Sequence, residues 1–176
     1  MMMRQQVSAP TDARIATAPL QCHIEGVFVD SLLDEFHRAA RPGIEQRGVS
    51  VSLELIAWEP LAAAADRVAL LRALAELAAY LADSVGRGTV DLRAYPSHGN
   101  VCVTFDMVLN PSDAATRAPC PEGDPRLAGA SARIVRMGGE LAVRRRAGRI
   151  VAFSFWLPQW VLPAGGPRAV ATRRDA

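Results

Sequence analysis

Residues 133–159 read RIVRMGGELAVRRRAGRIVAFSFWLPQ. An apolar and basic segment stops at Gly138-Gly139, and glycine in that position is a helix C-terminal signal. Two strand-like runs follow, at about 140–145 and 149–157, around a basic turn. Leu157-Pro158 closes the second run, because proline cannot donate to a continuing strand ladder. A short helix from about 126 to 136 is expected in front. A helix followed by a hairpin needs a larger sheet to join, so the remaining sequence must supply more strands.

It does. VSVSLELIA (49–57) alternates strictly, with Val49, Val51, Leu53 and Leu55 on one face and Ser50, Ser52 and Glu54 on the other. That is the period of a half-buried strand. GRGTVDLRAYPSHGNVCVTFDMVL (86–109) reads as a hairpin. Val90, Leu92 and Ala94 alternate on one arm, Val101, Val103 and Phe105 on the other, and Ser97–Asn100 make the turn. Two long helices are expected. One spans about 30–47, carries Leu32, Leu33, Phe36, Ala39 and Ala40, ends at Gly48, and contains Pro42 as a possible kink. The other, DRVALLRALAELAAYLADSV (66–85), starts at the natural N-cap Asp66 and is apolar on most sides, which makes it central to the core. Residues 107 to about 126 hold four prolines without periodicity and read as a loop.

The predicted order is therefore α-β-α-β-β-loop-α-β-β. Hairpins stand where crossovers would be needed for a parallel sheet, so the expected fold is α/β (α+β). It is a two-layer sandwich with a mixed, mostly antiparallel sheet and helices on one face. Residues 1–19 and 161–176 read as tails around one domain at 20–160.

The chain has 176 residues, 50% apolar and 22% charged, enough for one sizeable core. A net charge of +2 and the absence of a recognition motif speak against a nucleic-acid role. Cys22, Cys102 and Cys120 are far apart, as are His23, His37 and His98, so no metal site is expected. The N-terminal stretch lacks an apolar signal core and no stretch is long enough to span a membrane, so a cytoplasmic protein with no membrane partner is expected.

In order and local sequence these segments resemble the ATP-binding domain of bacterial sensor histidine kinases. That domain belongs to the superfamily shared with gyrase B, the Hsp90 chaperones and the mismatch-repair protein MutL. The resemblance covers about residues 30–158. GGEL followed by RIVAFSFWLP is similar to the kinase ending, RPGIEQRGVSVSLEL (41–55) to an upstream kinase segment, and ADRVALLRALAEL (65–77) to the kinase's central helix.

The resemblance implies three nucleotide elements. A helix carries a metal-binding Asn, with an acidic or amide residue one turn earlier; the matching positions are Tyr80 and Glu76. Glu76 suits a residue that orients or deprotonates a nucleophile, or else is simply a helix-paired carboxylate. Tyr80 is a poor Mg²⁺ ligand, and its ring fills the ion's space. An Asp-x-Gly-x-Gly motif gives adenine its acceptor; here DMVLN (106–110) keeps Asp106, expected just after a strand, but has no glycine. A Gly-x-Gly loop opening the next helix cradles phosphates; DPRLAGASARIV (124–135) offers only Gly129, at or inside the helix. Glu76 is thus the catalytic candidate, and Asp106, Tyr80 and Gly129 are the cofactor-binding candidates. No cofactor is expected, with Mg-ATP left open by the survival of Glu76 and Asp106.

His37 and Pro42 in HRAARP share the spacing of the kinase phosphoacceptor motif, but Arg38 replaces its acidic neighbour. The sequence leaves no room for a second hairpin helix before Val49. The resulting expectation is a stand-alone, degenerate kinase-type domain that acts in signalling through a protein partner: a kinase, a response regulator or another regulator. The Arg144-Arg145-Arg146 turn is a candidate contact, and Trp156 reads as a core residue. The alternative is an active ATP-binding protein kinase, of histidine or anti-sigma serine type, or a phosphotransfer protein.

Overall fold

A computed structural model describes residues 22–57, 59–85, 88–109, 123–146 and 149–161. The elements run β1 (Glu25–Phe28), α1 (Val29–Glu45), β2 (Val49–Leu55), β3 (Ala62–Ala65), α2 (Arg67–Val85), β4 (Gly88–Ser97), β5 (Asn100–Leu109), α3 (Pro125–Arg136), β6 (Glu140–Arg146) and β7 (Arg149–Pro158). A five-stranded sheet has the order β2-β4-β5-β7-β6. Only β2 and β4 pair in parallel; the other neighbours are antiparallel. The mixed, mostly antiparallel sheet expected from the sequence is the sheet observed.

The core lies between this sheet and the helices. Leu74, Leu77 and Leu81 of α2 are fully buried, as are Leu92, Phe105, Phe153 and Phe155 of the sheet. Each such side chain contributes about 2 kcal/mol of transfer free energy. α1 adds Leu32, Leu33 and Phe36, and Phe36 meets Phe105 edge-on at 6.4 Å between ring centroids. Asp66 caps α2 as its position suggests, accepting the Ala69 N–H at 2.9 Å.

The stretch at 133–159 folds as read. The Gly138 N–H donates to the Val135 carbonyl and the Gly139 N–H to the Ile134 carbonyl. With Gly138 at φ +77° this is a Schellman cap, the bonding that satisfies a helix's last carbonyls. The β4–β5 hairpin closes on His98 (φ +49°) and Gly99 (φ +76°), the doubly positive backbone of a type I′ turn.

Several expectations are corrected. The antiparallel ribbon of β1 and β3 was invisible: EGVF and AAAA are too short to show a period. Pro42 neither splits nor ends α1, which continues to Glu45. Leu55, the last residue of the edge strand β2, is 38% exposed. Trp156 is half-buried on the sheet face opposite Phe155 and Leu157, beside Cys102 in the neighbouring strand, and so lies outside the helix-facing core. β5 continues to Leu109, so residues 107–109 are strand where a loop was expected; the rest of the proline-rich segment, 110–122, lies outside the described residues, as do both proposed tails up to Gln21 and beyond Val161.

Gly139 sits where no side chain fits. A Cβ there would run into the Trp156 carbonyl oxygen and come within 2.9 Å of Leu157 Cδ2. Gly139→Ala is expected to destabilise the fold by about 3 kcal/mol through overpacking against backbone. Urea unfolding measures this directly, as a lowered midpoint with an unchanged slope.

Candidate functional site

α2 and α3 lie side by side and run in opposite directions. Asp83 late in α2 meets Arg126 early in α3, and Glu76 one step back meets Arg133. Two polar clusters therefore form along one seam, and three of the four candidate residues belong to them.

Tyr80 is buried, and its ring packs edge-on against Phe153 at 5.7 Å. Above the same ring sits the Arg126 guanidinium, 5.6 Å from the centroid. Arg126 donates to Asp83 at 2.5 Å and to Asp124 through Nη2 at 2.7 Å. Asp124 is only 7% exposed. It also caps α3, accepting the Arg126 backbone N–H at 2.9 Å. Pro125 follows at the first helical position, where a missing N–H costs nothing. Hydrogen bonds from the Arg126 side chain hold the Asp124 carboxyl below its usual range, and those same bonds, with Asp83, hold the guanidinium protonated beyond its ordinary range.

One helical turn back, Glu76 accepts from Arg133 Nη1 at 2.7 Å, both side chains being about one-quarter exposed. Gly129 lies inside α3, beneath this pair. A Cβ at Gly129 would come within 2.9 Å of Arg133 Nη1 and 3.0 Å of Glu76 Oε2. Its lack of a side chain leaves room for the ion pair.

Asp106 does not join them. It lies inside β5, opposite Asp91 and Ala152, with Phe105 before it buried among the helices. Successive strand residues alternate faces, so Asp106 points to the opposite, open side of the sheet. There it pairs with Arg144 of β6. The expectation that Asp106 directly follows a strand is corrected: with no glycine after it, the chain keeps its strand geometry for three more residues. Val108's side chain and Asn110 lie outside the described residues.

His37 is also accounted for. Its Nε2 is 3.2 Å from the Val51 carbonyl oxygen, and only a three-residue turn separates α1 from β2. Arg144 of the basic turn is committed to Asp106, and the Arg146 side chain is outside the described residues. Among the described residues no group of three or more His, Cys, Asp or Glu side chains is placed to hold a metal. No helix among them is long and apolar enough to cross a membrane.

Sequence reasoning missed Arg126, Asp83 and Asp124 as a unit. The Asp-Pro pair at 124–125 is a legible helix start, but the reach of Arg126 to Asp83, 43 residues away in sequence, depends on how the two helices are docked.

Comparison with protein-family models found no match, and comparison with the curated proteins found none either. Solved structures do match. The histidine kinase AdeS of Acinetobacter baumannii aligns with a TM-score of 0.61 at 16% identity, over 79% of this chain and 68% of that one. The catalytic domain of histidine kinase ThkA aligns at 0.63 and 18%, over 78% and 96%. Full-length ShkA, in complex with AMPPNP, aligns at 0.64 and 21%, over 81% of this chain and 32% of that one. The chain therefore has the fold of a histidine-kinase-type ATPase domain.

The Asp124 charge sets a pH dependence. Its carboxyl titrates lower in the folded chain than the value of about 4 in an unfolded one. Its contribution is therefore present above about pH 4 and is lost as pH falls through the lower folded value. Asp124→Asn keeps the cap and removes the charge. It is expected to cost about 2 kcal/mol near pH 7, the worth of a charged hydrogen bond. The gap to wild type should close at more acid pH, as read by denaturant melts along a pH series.

Proposed function

We propose that this chain is a degenerate histidine-kinase-type ATPase domain that acts in signalling by contacting another protein and does not turn over ATP. One observation carries the reading: Arg126 is locked between the Tyr80 ring and the Asp83 and Asp124 carboxylates. The resemblance assigns Tyr80's position to a metal-binding side chain and the start of α3 to a phosphate cradle. Mg²⁺ demands an octahedron of oxygens. The aromatic ring at position 80 is instead packed between Phe153 and a guanidinium. A helix start welcomes phosphate through free N–H groups and its positive end. Here a carboxylate already occupies that end. The protein's own cation and anions neutralise one another where Mg²⁺ and phosphates would otherwise do so.

The other candidates support the same reading. Glu76 is engaged by Arg133, Gly129 serves that pair, and Asp106 faces away from the seam. The partner is a kinase, a response regulator or another regulator of a two-component type of pathway, the setting that the histidine-kinase neighbours suggest. We take residues 20–160 as the domain; Trp160, packed over Gly26, supports drawing its end there.

The test is calorimetric titration with AMPPNP, the nucleotide held by ShkA, with and without Mg²⁺. No heat and no thermal stabilisation are expected. Binding in the micromolar range, roughly −8 kcal/mol, would overturn the proposal and return the chain to the ATP-dependent kinases.

A further inference from the structure

The first half of α2 and the last half of α3 enclose a cavity of about 320 Å³. Its nearest lining residue on α2, Arg72, is eight residues before Tyr80, about 12 Å along the helix axis at 1.5 Å per residue. The seam opens here because the facing residues are small: Ala69 on α2, Gly129 and Ala132 on α3. Arg72, Arg133 and Arg136 line it, against one acidic residue, Asp66.

That acid is already engaged. Asp66 accepts the Ala69 N–H at 2.9 Å and the His23 N–H at 3.1 Å. Arg133 gives one nitrogen to Glu76, and a guanidinium has five N–H donors. Arg72 and Arg136 have no hydrogen bond or ion pair among the described residues. Three positive groups thus share one concavity, and only Arg133 of them has a carboxylate partner among the described residues. Planar guanidinium forks suit carboxylate and phosphate oxygens in pairs.

We propose that this cavity binds a small anion with two or more charged oxygens, of the dicarboxylate or phosphate-monoester class. Arg72, Arg133 and Arg136 hold its charged end, and Val68, Ala69 and Ala132 face its carbon body. The volume is at the low end of ligand pockets, about 300–1,000 Å³, which suits a small metabolite. The cavity shares Gly129 and Arg133 with the candidate site, but Arg72 and Arg136, which carry the inference, lie outside it.

The full chain is titrated separately with succinate and with inorganic phosphate at fixed ionic strength, by calorimetry and amide NMR. Binding by at least one probe is expected, with shifts centred on residues 66–72 and 129–136; the tighter probe identifies the source of the anion. Arg72→Gln with Arg136→Gln should weaken that probe at least tenfold, while Asp124→Asn leaves it unchanged. Ala132→Phe, which fills the cavity and keeps all three arginines, should do the same as the double variant. Saturation should also slow iodoacetamide modification of Cys22, which lines the cavity, as read on its own peptide by mass spectrometry. No binding of either probe at about 10 mM, far weaker than a useful site, overturns the proposal. So does affinity that survives both the double arginine change and Ala132→Phe.

Discussion

Everything in this fold leans on the burial of α2. Its Leu74, Leu77 and Leu81 are wholly buried, and Tyr80 beside them reaches Phe153 in the sheet. A helix apolar on most sides must be covered on most sides. The sheet covers one, α1 another, and α3 a third. Along the seam with α3, α2 turns Glu76 and Asp83 toward a neighbour.

Along this seam opposite charges pair within the chain. Arg126 at the α3 start pairs with Asp83 and Asp124, and two turns on Arg133 pairs with Glu76. The pair of Arg126 with the buried Asp124 is costly to open, because that carboxylate would be left desolvated and alone. A ligand would have to displace contacts that the protein already makes with itself. The other end of the seam has the opposite character, with arginines in excess and a cavity between them. One pair of helices thus carries a charge-paired end and an arginine-rich concavity.

The elements with strong periods were legible. α2, the β4–β5 hairpin and the β6–β7 ending follow from alternation, an N-cap and a glycine stop, all of them local signals. The short β1–β3 ribbon was not, because four residues carry no period and their pairing joins chain segments 40 residues apart, from Glu25 to Ala65. Among the site residues, Glu76 and Tyr80 shared a helix face on spacing alone. Asp106 looked suitable by position, yet a one-residue difference in strand register is enough to send a side chain to the opposite face.

The sequence by itself determined the layers, the order of the strong elements and the absence of glycine from residues 106–110. It could do so because turns, caps and periodicity are set within a few residues. Only the tertiary structure decided that Arg126 closes over Tyr80, that Gly129 makes room for an ion pair, and that Asp106 faces away. Those outcomes depend on the docking of α3 against α2 and on the register of β5, which arise from contacts between distant parts of the chain.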